Sequence, residues 1–203
     1  MKRLFIAIFM LISFSGIAQT YRDSIAAFRE NYKQEFLQDA RSPLKQDDLQ
    51  WLRFFDADRK YWVVATLIPA TDTNSFSIPT HSSKIKRYHR FGYVTFHLKG
   101  HRKNIRLALY QSCDLVKQAA YINHLFLPFT DGTNYLTTYA GGRYLDLSIT
   151  DIKDNRLVID FNKCYNPYCA YADGFNCPIP PDENKLKFSI KAGEKLFGKK
   201  GKE

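Results

Sequence analysis

Apolar residues run along this chain with two different periods, and the switch between them sets the expected fold. From Tyr21 to Leu37, Ile25, Phe28, Tyr32 and Phe36 recur at steps of three and four, which predicts a helix with one apolar face. Ser42-Pro43 stops it, and Leu44 to Phe55 predicts a second short helix with Leu49, Leu52 and Phe55 on one side. From Tyr61 onward the period is two. Strands are predicted over Tyr61–Ile68, Phe76–Thr80, Ile85–Arg90 and Tyr93–Leu98, with Phe91-Gly92 as a turn between the last two. Asn104–Gln111 follows after the turn Gly100–Lys103 and completes a three-stranded meander. Leu125–Phe129 is a further strand candidate ahead of the Asp131-Gly132 turn, and Arg143–Ile149, Leu157–Asn162 and Lys185–Lys191 alternate, while Ser112–His124 reads as loop or short helix. The fold class is α+β, mainly β: one or two N-terminal helices, then an antiparallel β-sandwich or partly open barrel.

The first residues form a separate module. Lys2 and Arg3 precede an almost unbroken apolar run, Leu4 to Phe14, and Gly16-Ile17-Ala18 supply small residues ahead of Gln19. This is the pattern of a secretory signal peptide over residues 1–18, shorter than the ~20 apolar residues of a membrane span. The remainder, 19–203, shows no repeat and no linker and reads as one domain. Its expected location is exported, periplasmic or extracellular.

The net charge is +10 over 203 residues, with 45% hydrophobic residues. Removing Lys2 and Arg3 lowers it to +8. In an exported protein such an excess points to anionic envelope surfaces or acidic glycans rather than nucleic acid. The basic tail from about Lys195 reads as frayed. A second basic region, Lys84, Lys86, Arg87, His89, Arg90, Arg102, Lys103 and Arg106, is interleaved with Tyr88, Phe91 and Tyr93, a mixture that suits a membrane surface or an exposed sheet face.

The densest chemistry lies between Gly142 and Asn184. Arg143, Tyr144 and Asp146 open one strand, and Asp160 and Asn162 close another. Tyr165, Asn166, Tyr168 and Tyr171 follow on a loop stiffened by Pro167, and Glu183 and Asn184 come after Pro178-Ile179-Pro180-Pro181. Rigid loops carrying Tyr, Asn and Arg at strand ends suit a small-ligand site. The same residues also suit backbone locks, with Arg143 paired to Glu183 or Asp160. Asp160 and Glu183 are candidates for an acid/base pair. Cys113, Cys164, Cys169 and Cys177 make an even count, which favours disulfides in an oxidising compartment; a metal ligand or a nucleophilic Cys169 are the alternatives. No histidine pair has metal-ligand spacing, and nucleophile-elbow, phosphate-loop and dinucleotide motifs are absent. No metal and no cofactor is expected.

Three stretches, Gly141-Gly142-Arg143-Tyr144-Leu145-Asp146, Asp160 to Tyr171 and Cys177 to Asn184, with Ala192-Gly193-Glu194 beyond, resemble the bacterial domain-of-unknown-function family 1684. Phe129-Thr130-Asp131 and Ile78-Pro79-Thr80 resemble its weaker upstream motifs. The resemblance implies a shared fold and a shared site, and carries no activity. Where such proteins have a Glu before the Tyr that leads into Gly-Gly-Arg-Tyr, this chain has Thr137, so a catalytic scheme built on that carboxylate does not carry over. The family has Ala at the place of Cys164 and no counterpart of Cys113. The resemblance thus implies that Cys113 bonds Cys164 and leaves Cys169 with Cys177. The function expected first is binding of a small polar or envelope-glycan-like ligand by residues 142–184. A hydrolase using Asp160 and Glu183, or Cys169, and a structural envelope protein without a ligand, are the alternatives.

Overall fold

The structure, a computed structural model, describes residues 2–72, 74–82 and 84–199, with side chains from Gln19 onward. The expected signal peptide therefore lies outside the residues with described side chains. Helix α1 (Lys2–Gln38) leads into a single 3-10 turn, Gln46–Trp51, where the second helix was expected. Seven strands follow: β1 (Trp62–Pro69), β2 (Ser75–Pro79), β3 (Ile85–Phe96), β4 (Ile105–Ser112), β5 (His124–Phe129), β6 (Arg143–Ser148) and β7 (Arg156–Asp160).

All pairings are antiparallel, in the order β6-β5-β4-β3-β1-β7, with β2 also on β3. The twelve residues of β3 take β2 along their first half and β1 along the second. The sheet curls into a nearly closed barrel. One end strand, β6, is tied to the loop after β7 by an extra bridge, in which Tyr144 and Tyr165 exchange backbone hydrogen bonds of 2.9 and 3.0 Å.

The period-two reading holds because one side of each strand faces the barrel interior. Val63, Ala65 and Leu67 of β1, Val94 and Phe96 of β3, Leu107 and Leu109 of β4 and Leu125 and Leu127 of β5 share that core. The other side of β2–β6 is buried as well. Ile78, Tyr88, Ala108, Tyr110, Phe126 and Tyr144 form a second apolar layer there. Each such fully buried side chain contributes roughly 1.5–3 kcal/mol.

Three expectations are corrected. Phe91-Gly92 is not a turn: β3 runs through it with a register shift between Arg90 and Gly92. Glycine is needed there because a Cβ would lie 2.7 Å from the carbonyl oxygen of Ile68 on β1. Such a bulge adds a residue without ending a strand. Lys185–Lys191 is not a strand. Leu186 and Ile190 plug the barrel core, but the backbone makes only isolated contacts, Leu186 N–H to Thr130 O and Gly132 N–H to Phe188 O. Alternation there reports one-sided burial rather than a ladder. The described start of the basic tail is also tied down: Lys195, Leu196 and Gly198 donate backbone hydrogen bonds to Arg53, Thr137 and Trp51, and Phe197 packs on Tyr171.

One polar residue repairs the sheet. Tyr110 faces Phe126 across β4 and β5, so two residues along Ala108 comes opposite Pro128, which has no N–H to give. The Asn184 carboxamide fills this gap. Its Oδ1 accepts from Ala108 N–H at 2.7 Å, and its Nδ2 donates to Ala108 O at 2.9 Å and to Pro128 O at 2.7 Å. The side chain acts as a substitute peptide group between two strands. Asn184→Ala would strand three buried backbone groups, and urea denaturation is expected to show a loss of about 2–4 kcal/mol. Asn184→Asp, which cannot donate, should do no better.

Candidate functional site

The end strands β6 and β7 do not pair with each other, and α1 lies across the opening they leave. Between them is a groove of about 1000 Å³. Six rings line it: Phe28, Tyr32 and Phe36 from α1, Tyr165 and Tyr168 from the loop after β7, and Tyr121 from the β4–β5 connection. Five of them, all but Tyr121, are in continuous contact, with centroid separations of 6.0 Å for Tyr32–Tyr165 and 5.7 Å for Phe36–Tyr168. Carboxylates outnumber cations on its walls: Glu35, Asp39, Asp146, Asp151 and Asp160 against Arg41, Lys153 and Lys163.

Asp146 and Tyr165 stand on a ridge between this groove and a smaller pocket of about 230 Å³ that also contains Lys86, His124 and Tyr144. The Tyr165 hydroxyl donates to Asp146 Oδ2 at 2.7 Å, and His124 Nε2 lies 2.8 Å from Oδ1. Burial, then the charge of Asp146 beside it, push the Tyr165 phenol well above its usual pKa. It is a permanent donor at ordinary pH.

A second polar cluster sits behind the rings. Glu194 is fully buried. Its Oε1 accepts from Tyr171 at 2.6 Å, and its Oε2 accepts from Tyr32 at 3.1 Å and from the Asn166 backbone N–H at 2.9 Å. Burial raises the carboxyl pKa to about 7, partly offset by these donors. Glu194 was not among the residues expected at the site. Its signal in the sequence is the Ala192-Gly193-Glu194 bend, where Gly193 takes φ +71°.

The expected site residues separate into two groups. Tyr144, Asp146, Asp160 and Tyr165 reach the pockets. Arg143, Asn162, Asn166, Tyr171 and Asn184 are locks beneath them. Arg143 is sealed away: its guanidinium donates to Asp131 Oδ2 at 2.6 Å, to Ile190 O at 2.8 Å and to the carbonyl of Ala192. It pairs with Asp131 rather than with Glu183 or Asp160. Asn162 Oδ1 accepts from Asp58 N–H at 2.9 Å, and Asn166 Nδ2 donates to Lys195 O at 2.8 Å. Tyr144, though it lines the smaller pocket, points its hydroxyl at Pro178 O.

Asp160 and Glu183 share no partner. Asp160 accepts from the Tyr21 hydroxyl at 2.9 Å, whereas Glu183 binds Arg90 and Tyr110 at 2.6 Å each, on the far face of β3 and β4. Burial would raise the Glu183 pKa, but the Tyr110 hydroxyl and Arg90 outweigh it and hold the carboxyl below its usual range. Arg90 is thereby paired, while Arg106, still exposed, stacks 3.5 Å over the Tyr93 ring.

Cys169 and Cys177 are joined, which removes Cys169 as a nucleophile. Cys113 and Cys164 are separate thiols, against expectation. Cys164 faces the carbonyl of Ala192 in the core, where burial pushes its thiol up to about 11. Cys113 lies instead beside His89.

Residues 47–195 match the model of a family described as protein of unknown function (DUF1684). The chain is also similar to an uncharacterized protein of Haloarcula marismortui solved by solution NMR. The two are 29% identical with a TM-score of 0.65, over 89% of this chain and 96% of the other. No curated protein matches.

Two measurements test the buried network. Glu194 holds its proton more tightly in the folded state, so its contribution is complete below its ordinary value of 4.5 and is lost as pH rises through about 7. Denaturation midpoints should fall between pH 5 and 8 by an amount on the order of 3 kcal/mol from this group, and Glu194→Gln should flatten that slope. Arg143→Ala leaves Asp131 buried and unpaired, and should cost about 3–5 kcal/mol by urea denaturation.

Proposed function

The chain belongs to the DUF1684 family, and from that premise we propose that it is an exported, non-catalytic module that holds a hydroxyl-rich, glycan-like ligand in the groove between α1 and strands β6 and β7. The observation that carries this reading is the composition of the groove wall. Aromatic faces stack on the apolar faces of sugar rings, and carboxylates accept hydrogen bonds from their hydroxyls. A site that is concave, mostly apolar and supplied with a few oriented polar groups is the usual form of a small-ligand pocket. Asp146 is already oriented by Tyr165 and His124, so little ordering is left to be done on binding. The ligand site thus draws on residues 145–168 and on α1, a wider set than the segment 142–184.

Export is supported by the joined pair Cys169–Cys177, since disulfides persist in oxidising compartments. A hydrolytic reading through Asp160 and Glu183 has no shared geometry to rest on, and the reading through Cys169 loses its thiol. A purely structural role accounts for Arg143 and Asn184 but leaves the ring-lined groove unexplained.

The test is titration of the mature chain with a panel of neutral and acidic oligosaccharides, followed by NMR or calorimetry. Binding should perturb Tyr165, Tyr168 and Asp146. Tyr165→Ala should weaken it roughly tenfold or more, the loss that follows truncation of an aromatic anchor. Asp146→Asn should weaken it less. Perturbations confined to residues outside the groove, or binding unaffected by Tyr165→Ala, would remove the groove from the proposal.

A further inference from the structure

A second arrangement of reactive side chains lies away from the groove, at one end of the barrel. The stripe that lines the barrel along β4 with Ile105, Leu107 and Leu109 continues, two residues at a time, as Gln111 and then Cys113. His89 on β3 is the direct cross-strand partner of Gln111, and the Cys113 N–H extends the same ladder by donating to Arg87 O at 3.0 Å. Directly opposed residues share a face of a sheet, so Gln111, His89 and Cys113 point the same way.

The hydrogen bonds fix the histidine tautomer. Gln111 Nε2 donates to the carbonyl of Ile122 at 2.9 Å. That carbonyl can only accept, so the amide orientation is forced and Gln111 Oε1 faces His89 Nε2, at 2.9 Å. Oε1 can only accept in turn, which puts the ring proton on Nε2 and leaves the lone pair of neutral His89 on Nδ1. Nδ1 lies 3.9 Å from Cys113 Sγ. Nucleophile, base and orienting amide follow one another in the order that thiol activation requires. Unlike Cys164, Cys113 is partly exposed.

We propose that Cys113 is a reactive thiol with His89 as its base and Gln111 as a positioning residue, and that it exchanges with small-molecule disulfides. Nδ1 takes the Sγ proton, and the thiolate attacks one sulfur of the disulfide R–S–S–R. A Cys113–S–S–R bond forms as the R–S–S–R bond breaks. The departing RS⁻ takes the proton back from the imidazolium and leaves as RSH. The oxidising equivalent comes entirely from the small disulfide. This proposal is independent of the groove and its ligand.

The experiment uses the full chain with Cys164→Ala, which leaves Cys113 as the single thiol beside the Cys169–Cys177 pair. Rates of reaction with 5,5′-dithiobis(2-nitrobenzoic acid) are followed from pH 5 to 9, and the same adduct with oxidised glutathione is identified by mass. Folded protein should react roughly tenfold faster or more than the urea-unfolded chain at pH 7, and Cys113→Ser should abolish the reaction. His89→Gln should slow the folded protein roughly tenfold and change how its rate depends on pH. Gln111→Leu should change that dependence too, with a smaller loss of rate. A folded chain that reacts no faster than the unfolded one overturns the proposal, and this comparison holds even if the His89 variant fails to fold. So does a His89→Gln variant that folds and keeps both rate and pH profile.

Discussion

The buried pairing of Arg143 with Asp131 is the constraint on which the rest of the architecture depends. Both side chains are removed from water, at 0% and 1% exposure, so each charge must be met in place. Arg143 does this with more than its counter-ion. By donating to the carbonyls of Ile190 and Ala192, it holds an extended segment that has no strand partner. That segment places Leu186 and Ile190 in the barrel core and carries Glu194 to the back of the ring-lined wall. A lysine could satisfy the charge but not the fan of carbonyls, because the guanidinium supplies several donors in a fixed plane.

From Glu194 the network reaches α1. The helix has no strand ladder to hold it against the barrel, and its docking is polar and aromatic: Tyr32 to Glu194, Tyr21 to Asp160, and Arg29 to the carbonyl of Phe55. Tyr32 also packs edge-on to Phe36 and Phe54. The wall of the groove and the attachment of the helix are therefore made by the same side chains. All these contacts begin at Tyr21, downstream of the cleavage expected before Gln19.

Much of the fold was legible because burial on one side of a strand writes a period of two into the sequence. β1 and β7 were read nearly at their bounds for that reason; β4 and β5, also read nearly at their bounds, are buried on both faces. Phe91-Gly92 misled because a glycine demanded by the close passage of β1 has the same letter as a glycine demanded by a turn. Lys185–Lys191 misled because Leu186 and Ile190 alternate inward without any ladder. Of the residues expected at the candidate site, Tyr144, Asp146, Asp160 and Tyr165 line the pockets, and the sequence did not separate them from the locks. Arg, Asn and Tyr at strand ends serve equally as ligand contacts or as substitutes for missing backbone partners. Only register separates the two, as at Asn184, whose amide answers the absent N–H of Pro128. Tyr32 and Phe36 read as an amphipathic stripe, and nothing local marks them as the second wall of a groove. Glu194 was hidden in the same way, since its partners lie 28 and 162 residues away along the chain.

The match to DUF1684 covers residues 47–195 and so includes the barrel wall of the groove, the Arg143 fork, the Asn184 strut and Glu194, while α1 precedes it. These parts obey different rules. The locks answer to backbone geometry: each carbonyl or N–H they serve is fixed by the fold, so a substitution there is paid in stability whatever ligand is present. The helix wall answers to the carboxylate and hydroxyls that dock it. Phe28 and Glu35 line that wall without belonging to any lock. On the proposed glycan-binding reading, preference changes through α1 with the barrel left intact, whereas a change at Arg143 or Asn184 cannot alter preference without first loosening the fold.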